Sequence, residues 1–311
     1  VTDAVGLTGT DTMWVNVTDA DAPVAYAGAD QNVFKNASVV FDGSGSSDNT
    51  GIVNYTWTFF DVLDVVLYGI DPTYTFHNLG NYLVTLTVTD SVGLMDTDTM
   101  VVNVSEAPVL NINTDEGFSS IASAIEDPDT LNGHTITVAA GTYNENIIVS
   151  KTLTIIGAGS EVCTIDSGGV GNAVRVTASW VNFSGFTLTN AGGNGILLDN
   201  TAYCEIENIV VNNCVFGIQL FWSNNNTIEG NTLSNNNIGI YLRDSSNNNV
   251  TNNNASNNNI GIYLESSNIN IIQGNAVISN NNVGIYLESS HDNIIQGNSC
   301  LLYTSPSPRD R

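Results

Sequence analysis

The chain has 311 residues, room for two or three domains, and carries 31 acidic against 6 basic residues, a formal net charge of −25 at pH 7. So few basic side chains leave little with which to displace counterions from phosphate, which disfavours nucleic acid as a partner. No run approaches the roughly 18 apolar residues of a membrane-spanning helix, and an acidic, Lys-poor, Asn-, Ser- and Thr-rich surface suits an extracellular or high-salt setting.

Val1 has no initiating Met before it, no signal peptide opens the chain, and the first residues read as a strand entered part-way. Val1-Thr-Asp-Ala-Val-Gly-Leu7 recurs as Val88-Thr-Asp-Ser-Val-Gly-Leu94, and Thr10-Asp-Thr-Met13 as Thr97-Asp-Thr-Met100, both displaced by 87 residues. Residues 1–21 are therefore expected to be the C-terminal strands of one domain, and 22–105 a complete copy of it. Alternating strands with Gly, Ser, Asp and Asn turns predict a β-sandwich with Trp57 as its core anchor. Asn16-Val-Thr18, Asn36-Ala-Ser38, Asn54-Tyr-Thr56 and Asn103-Val-Ser105 are glycosylation sequons.

Phe41-Asp-Gly-Ser-Gly-Ser-Ser-Asp48, Val53-Asn-Tyr-Thr-Trp57, Tyr74-Thr-Phe76 and Gly80-Asn-Tyr-Leu-Val-Thr-Leu-Thr-Val-Thr-Asp90 resemble the PKD family of immunoglobulin-like sandwiches, found in microbial surface and secreted proteins. One departure is Thr58-Phe-Phe-Asp61, where the family usually runs into Asp-Phe-Gly-Asp-Gly. The resemblance implies a spacer that contacts protein or carbohydrate, and in some members calcium. Asp42, Asp48 and Asp90 are the expected Ca²⁺ ligands, because that ion takes several carboxylate and carbonyl oxygens from turns.

Residues 106–134 are expected to hold a linker, over Ala107–Asn113, and a short helix. Ser119 and Ser120 are N-cap candidates, and Phe118, Ile121 and Ile125 form a helical stripe. Such a helix would cap the open end of whatever follows. Thr135-Ile-Thr-Val138, Ala140-Gly-Thr-Tyr-Asn-Glu-Asn-Ile-Ile-Val149 and Leu153-Thr-Ile-Ile-Gly-Ala-Gly159 read as first coils of a solenoid.

From Asn194 one phrase then returns five times: Asn194-Gly-Ile-Leu-Leu198, Phe216-Gly-Ile-Gln-Leu220, Ile238-Gly-Ile-Tyr-Leu242, Ile260-Gly-Ile-Tyr-Leu264 and Val283-Gly-Ile-Tyr-Leu287. Its glycines are 22 residues apart, the last 23. A fixed period in this range means stacked units that cannot bury an apolar face alone. Apolar residues alternate within the phrase and recur 11 and 16 positions after its glycine, so each coil carries three short strands. Thirteen positions after the glycine stand Asn208, Gly230, Asn252, Gly274 and Gly297, the types that tolerate a left-handed corner. Asn231, Asn253, Asn275 and Asn298 follow and are expected to stack as an amide ladder.

The cap and its Gly-Thr-Tyr-x-Glu strand pair resemble NosD-like and pectin-lyase-like right-handed parallel β-helices, and Gly-Ile-Tyr-Leu-x-x-Ser-x-x-Asn resembles NosD-type repeats. The resulting expectation is an all-β chain: a PKD-type sandwich, a short N-terminal cap helix, and a β-helix of 22-residue coils over 135–299. Residues 300–311, Cys-Leu-Leu-Tyr-Thr-Ser-Pro-Ser-Pro-Arg-Asp-Arg, break every pattern and read as a translated sequencing adaptor. Cys163, Cys204, Cys214 and Cys300 do not share a 22-residue column, so buried thiols are expected rather than bridges.

Catalysis on this fold needs converging carboxylates, Arg or Lys, and often His. Glu265 and Glu288 share a column with Arg243, which reads as a surface salt-bridge row, and polygalacturonase and epimerase signatures are absent. The copper role implied by the NosD name needs clustered His, Cys or Met, whereas His77, His134 and His291 are scattered. Tyr241, Tyr263 and Tyr286 are expected to stack outside, beside a bare row of Gly239, Gly261 and Gly284. That pairing would make a shelf for a sugar ring, with Glu265 and Glu288 as polar neighbours. The first reading is a non-catalytic secreted or cell-surface protein whose PKD modules present a β-helix to polysaccharide or neighbouring surface molecules. The alternative is a polysaccharide lyase, hydrolase or epimerase with its site in further coils, and a copper accessory protein ranks third.

Overall fold

The computed structural model of the chain describes residues 1–16 and 18–300, and the chain divides into two compact units, Val1–Ser105 and Glu106–Arg311. Of the run expected to be adaptor-derived, residues 301–311 lie outside the described residues.

In the first unit seven strands follow in order: β1 Gln31–Phe34, β2 Ser38–Val40, β3 Ile52–Asp61, β4 Leu63–Tyr68, β5 Thr73–Thr75, β6 Gly80–Asp90 and β7 Met95–Ser105. The larger sheet has the order β1-β7-β6-β3-β4, antiparallel except for β1 on β7, and β2 pairs with β5. Period-2 alternation sets what β6 buries: Tyr82, Val84, Leu86 and Val88 face in, and the same parity carries Asp90 inward. Trp57 is fully buried, stacks on Phe41 at 5.3 Å, and donates its indole N–H to the Gly69 carbonyl at 3.1 Å. At the departure from the family pattern, Phe59 enters the core and Phe60 points to solvent, after which Val62 turns the chain at φ 64°. The 87-residue repeat extends to hydrogen bonds. Asp3 Oδ1 accepts from the amides of Val5 (3.0 Å) and Leu7 (2.8 Å), as Asp90 Oδ1 does from Val92 (2.9 Å) and Leu94 (2.8 Å).

The second unit opens on a hairpin, and this corrects the reading of Ala107–Asn113 as linker. Val109–Asn111 pairs antiparallel with both Glu116–Phe118 and Ile136–Val138, so the exposed edge of the first coil is covered by strand as well as by helix. The helix α1, Ile121–Glu126, starts at Ser120, whose hydroxyl accepts the Ser123 amide at 3.1 Å, and buries Ile121, Ala124 and Ile125. Glu145 reaches back from the first coil and accepts the amides of Ile121 (3.0 Å) and Ala122 (2.9 Å).

Beyond the cap the chain winds into a β-solenoid of about 7 turns. The coils give strands to three sheets and neighbouring coils pair parallel; the sheet that begins at Gly141–Tyr143 ends at Asn254–Ala255 and continues as single bridges at Ala276 and Ser299. Ile196, Ile218, Ile240 and Ile262 stack at full burial, as do Leu198, Leu220, Leu242 and Leu264, so one apolar column continues from coil to coil. The left-handed corner is where the spacing puts it: Asn208, Gly230, Asn252, Gly274 and Gly297 all have φ between 52° and 69°. The asparagine ladder follows it, with Asn231 Nδ2 to Asn253 Oδ1 at 3.0 Å and Asn253 Nδ2 to Asn275 Oδ1 at 3.0 Å. Further ladders run through Asn226, Asn248, Asn270 and Asn293, through Asn236, Asn258 and Asn280, and through Ser223, Ser245, Ser267 and Ser290. They satisfy inward-turned corner amides that a three-sided coil would otherwise bury unpaired. Cys163, Cys204 and Cys214 are free and buried, and Cys300 is free and exposed.

Candidate functional site

Tyr241, Tyr263 and Tyr286 do share a column, with ring centroids 4.9 Å and 5.0 Å apart and the first pair stacked nearly parallel at 7°. Their exposure differs from the expected ridge. Tyr241 is only 7% exposed, covered by Tyr263 on one side and Phe216 at 5.3 Å, whereas Tyr286 is 42% exposed. The rings spend their faces on one another, so a sugar would meet edges and the face of Tyr286. The Tyr241 hydroxyl donates to Glu265 and the Tyr263 hydroxyl to Glu288, one coil on. Burial first, then these carboxylates, pushes both phenol pKa values well above the usual tyrosine range. Arg243 Nε stands 3.9 Å from Glu265. The two glutamates thus form a row hydrogen-bonded to tyrosine, with Arg243 as an ion-pair neighbour of Glu265.

The glycines beside them are not a surface trough, and that expectation is corrected. Gly195, Gly217, Gly239, Gly261 and Gly284 are all buried. A Cβ on Gly217 would lie 2.7 Å from Leu233 and 2.5 Å from the Gly239 carbonyl oxygen, and one on Gly239 3.1 Å from Ala255 and 2.6 Å from the Gly261 oxygen. The ladder register passes from Ile238 to Ile240 without the glycine, so the backbone bends there and turns it inward.

A different aromatic group does face solvent. Trp180 (62% exposed) stacks on Tyr203 (48% exposed) at 4.3 Å and 17°, and Trp222 (59% exposed), on the same corner one coil further, donates its indole N–H to Asp244 at 3.2 Å. All three have left-handed backbone, with φ 62°, 59° and 50°. Trp180 and Tyr203 head a column continued by Asn225 and Asn247, linked by amide bonds from each coil to the next. Asparagine adopts this conformation cheaply, while a bulky aromatic there is strained by about 1 kcal/mol or more. Sequence reasoning missed them because it indexed coils from the repeated glycine phrase. The signal was a Trp and a Tyr standing 23 residues apart in turns otherwise built of Asn and Ser.

Of the three aspartates expected to bind calcium, two come together and one does not. One carboxylate oxygen from each of Asp48, Asp90 and Asp19 lies within 4.8 Å of the others. Asp42 instead accepts the Ser44 amide at 2.9 Å, closing its own turn. Hydrogen bonds from Ser44 hold its carboxyl below the usual range. Asp19 is held low by the Thr50 hydroxyl first, then by the Asp21 amide; at Asp48 partial burial works upward, and bonds from Thr50 and Gly51 more than offset it.

Comparison with known proteins adds the family. The family described as "Periplasmic copper-binding protein (NosD)" matches residues 132–302, more than half of the chain. The chain belongs to the NosD family. The PKD domain family matches residues 20–104. A cell surface glycoprotein of Methanothermus fervidus is 37% identical over 107 residues, 34% of this chain and 18% of that protein. A dyslexia-associated protein KIAA0319 homolog of Rattus norvegicus is 39% identical over 113 residues, 34% and 10% of the two chains. The chain thus spans less than a fifth of the curated relatives it matches. Among solved structures, the catalytic domain of a GH87 alpha-1,3-glucanase in complex with nigerose aligns over 82% of this chain and 57% of its own, with TM-score 0.53 and 15% identity, a likeness of fold.

The residues of this NosD-family solenoid do not fit copper. Among the described residues the groups able to converge on an ion are all carboxylate, Asp19/Asp48/Asp90 and Glu116/Asp127/Asp129. Copper favours imidazole and sulfur, but His134 is engaged with Asn111 at 3.1 Å, and of the solenoid's buried cysteines Cys163 lies in an earlier coil while Cys204 and Cys214 sit at different corners of one coil. No described helix is long and apolar enough to cross a membrane.

Proposed function

We propose that this chain is a non-catalytic, secreted or cell-surface protein that binds polysaccharide along its solenoid. The observation that carries the reading is the exposed corner of Trp180, Tyr203 and Trp222, three aromatic rings held in left-handed backbone where other coils mostly use Asn, Asp or Ser. Flat apolar faces rimmed by hydroxyl and amide groups suit the faces of pyranose rings, and strain kept at a surface position points to use. A net charge of −25 repels polyanions, so the favoured ligand is a neutral polysaccharide. Tyr286, Tyr263 and Tyr241 with Glu265 and Glu288 form a second, weaker candidate face, since their rings mostly cover one another. The similarity of residues 20–104 to PKD domains and the partial match to an archaeal cell surface glycoprotein support the extracellular placement.

Affinity electrophoresis of the full chain through gels containing neutral glucans or mannans tests this. Retention of wild type, abolished in Trp180→Ala/Tyr203→Ala and kept in Tyr286→Ala, is the expected result. Absence of retention on every neutral and acidic polymer would refute it, and retention unchanged in the double variant would move the site elsewhere.

A further inference from the structure

Four glycosylation sequons stand in the solenoid, Asn182-Phe-Ser184, Asn225-Asn-Thr227, Asn249-Val-Thr251 and Asn254-Ala-Ser256. Three place their asparagine on a strand: Asn182 is paired between Thr154 and Glu205, Asn249 between Thr227 and Ile271, and Asn254 between Thr232 and Ala276. Asn225 lies on a corner instead, with φ 60° and an exposed side chain. The turn around it is fixed from within. Ser223 and Asn226 are buried in their ladders, the Ser223 amide on Ser245 Oγ at 3.0 Å and the Asn226 amide on Asn248 Oδ1 at 2.9 Å, so the turn presents Trp222 and Asn225 to solvent. Asn224 is engaged, its Oδ1 accepting the Ser246 amide at 2.6 Å, whereas the Asn225 side-chain amide makes no hydrogen bond among the described residues. Two aromatic rings flank that amide. Trp222, three residues earlier in the same turn, is held at its indole N–H by Asp244. Tyr203 stands one coil earlier in the Asn225 column, its backbone amide donating to the Asn225 carbonyl at 3.2 Å. Trp180 covers one face of Tyr203 at 4.3 Å, which leaves the other face toward the coil of Asn225.

We infer that Asn225 is a glycosylation site and that the first sugar of its glycan packs between Trp222 and Tyr203. The donor is of the class of oligosaccharides carried on a lipid phosphate. The bond from the sugar's anomeric carbon to the phosphate oxygen breaks, a bond from that carbon to Asn225 Nδ2 forms, and the lipid phosphate leaves with the amide proton. The inference rests on the reading of this corner as a surface for pyranose faces and gives it a resident occupant. A single sugar stacking from solution binds weakly, because association costs translational and rotational freedom. A sugar linked to Asn225 escapes most of that cost, since a tether of a few bonds sets its effective concentration at the two rings. That accounts for a left-handed tryptophan and tyrosine placed around a corner asparagine, which the Asn and Ser ladders do not themselves require. Trp180 lies on the side of Tyr203 away from Asn225 and stays open to a polymer.

The full chain secreted from a eukaryotic host, which glycosylates accessible sequons, tests the inference through peptide mapping by mass spectrometry. Asn225 is expected to carry hexosamine, and Thr227→Ala, which removes the sequon and leaves both rings in place, to lose that mass. Enzymatic removal of the glycan should lower the melting temperature of wild type by about 2–4 °C. In Trp222→Ala/Tyr203→Ala, which keeps the sequon and loses only exposed rings in strained backbone, the drop should be about 1 °C or less. An Asn225 left bare would overturn the site, and an equal drop in wild type and the double variant would overturn the packing. Retention of the Thr227→Ala chain in polysaccharide gels reports on the binding reading separately: its absence would refute that reading while the mass at Asn225 still decides this one.

Discussion

Removing one rung of the asparagine ladder measures how the solenoid is held at its corners. Asn253 is buried and makes four side-chain hydrogen bonds. Its Oδ1 accepts the amide (3.0 Å) and Nδ2 (3.0 Å) of Asn231, and its Nδ2 donates to the Ile228 carbonyl (2.8 Å) and to Asn275 Oδ1 (3.0 Å). In Asn253→Ala the Asn231 amide loses its acceptor inside the protein, while Asn231 Nδ2 keeps the Ile206 carbonyl and Asn275 Oδ1 keeps the Asn253 amide. Taking about 2 kcal/mol for the orphaned buried amide and roughly 1 for each remaining bond, less some relaxation, gives a loss of about 4 kcal/mol. The control is Asn259→Ala, six residues on, which gives up one exposed bond to Asn237 at 3.2 Å and should cost about 0.5 kcal/mol. Urea unfolding followed by far-UV circular dichroism, with hydrogen exchange read at Asn231, distinguishes them. Losses within about 1 kcal/mol of each other would refute the ladder as the element that fixes the corner.

Gly239→Ala should destabilise the solenoid by about 2–3 kcal/mol, since its Cβ would sit 2.6 Å from the Gly261 carbonyl oxygen. Gly230→Asn should stay within about 1 kcal/mol of wild type, because Asn208 and Asn252 fill the same column; thermal melts check both. Stability should also fall in alkali. Burial, then hydrogen bonding to glutamate, raises the Tyr241 and Tyr263 pKa values above their ordinary 10.0, and burial raises those of Cys163, Cys204 and Cys214 above 9.0. Groups with raised folded values contribute fully below pH 9 and progressively less as pH climbs through 9 and 10 toward the folded values. Melting temperatures from pH 8 to 11 should decline, and less steeply in Tyr241→Phe; a flat profile would contradict the burial of these groups.

Where the sequence could be read, one physical rule acted along a column. The left-handed corner at Asn208 and Gly230 and the ladder through Asn231 and Asn253 were legible because parallel stacking puts each residue over its counterpart in the next coil. Misreading began where the rule changed within a coil. Strict alternation puts Gly239 on the side of Tyr241, but the bend at the glycine turns it inward, and period 2 carries no sign of that bend. The aspartate cluster was half legible for a related reason. Asp48 and Asp90 lie in recognisable turns, whereas Asp19 joins them only through folding, its hydroxyl partner Thr50 being 31 residues away. Trp180 was in plain view but lay in a coil before the repeated phrase begins, and Tyr203, in the first coil that carries the phrase, fell in a turn between the indexed columns.

The interval between Gly261 and Gly284 is 23 residues, yet Asn258 still stands over Asn280 and Tyr263 over Tyr286. The extra residue is taken up between Asn280 and Val283, and both flanking columns continue undisturbed. Each coil from Phe216 to Leu287 therefore offers its neighbours nearly the same upper and lower surface. Unequal recombination within the gene for such a stretch adds or removes whole coils without needing breakpoints at any particular codon, provided the period is kept. Each such event changes the length of the solenoid by about 4.8 Å. The length of this element can therefore change by whole coils while the surface that each coil presents to its neighbours stays the same.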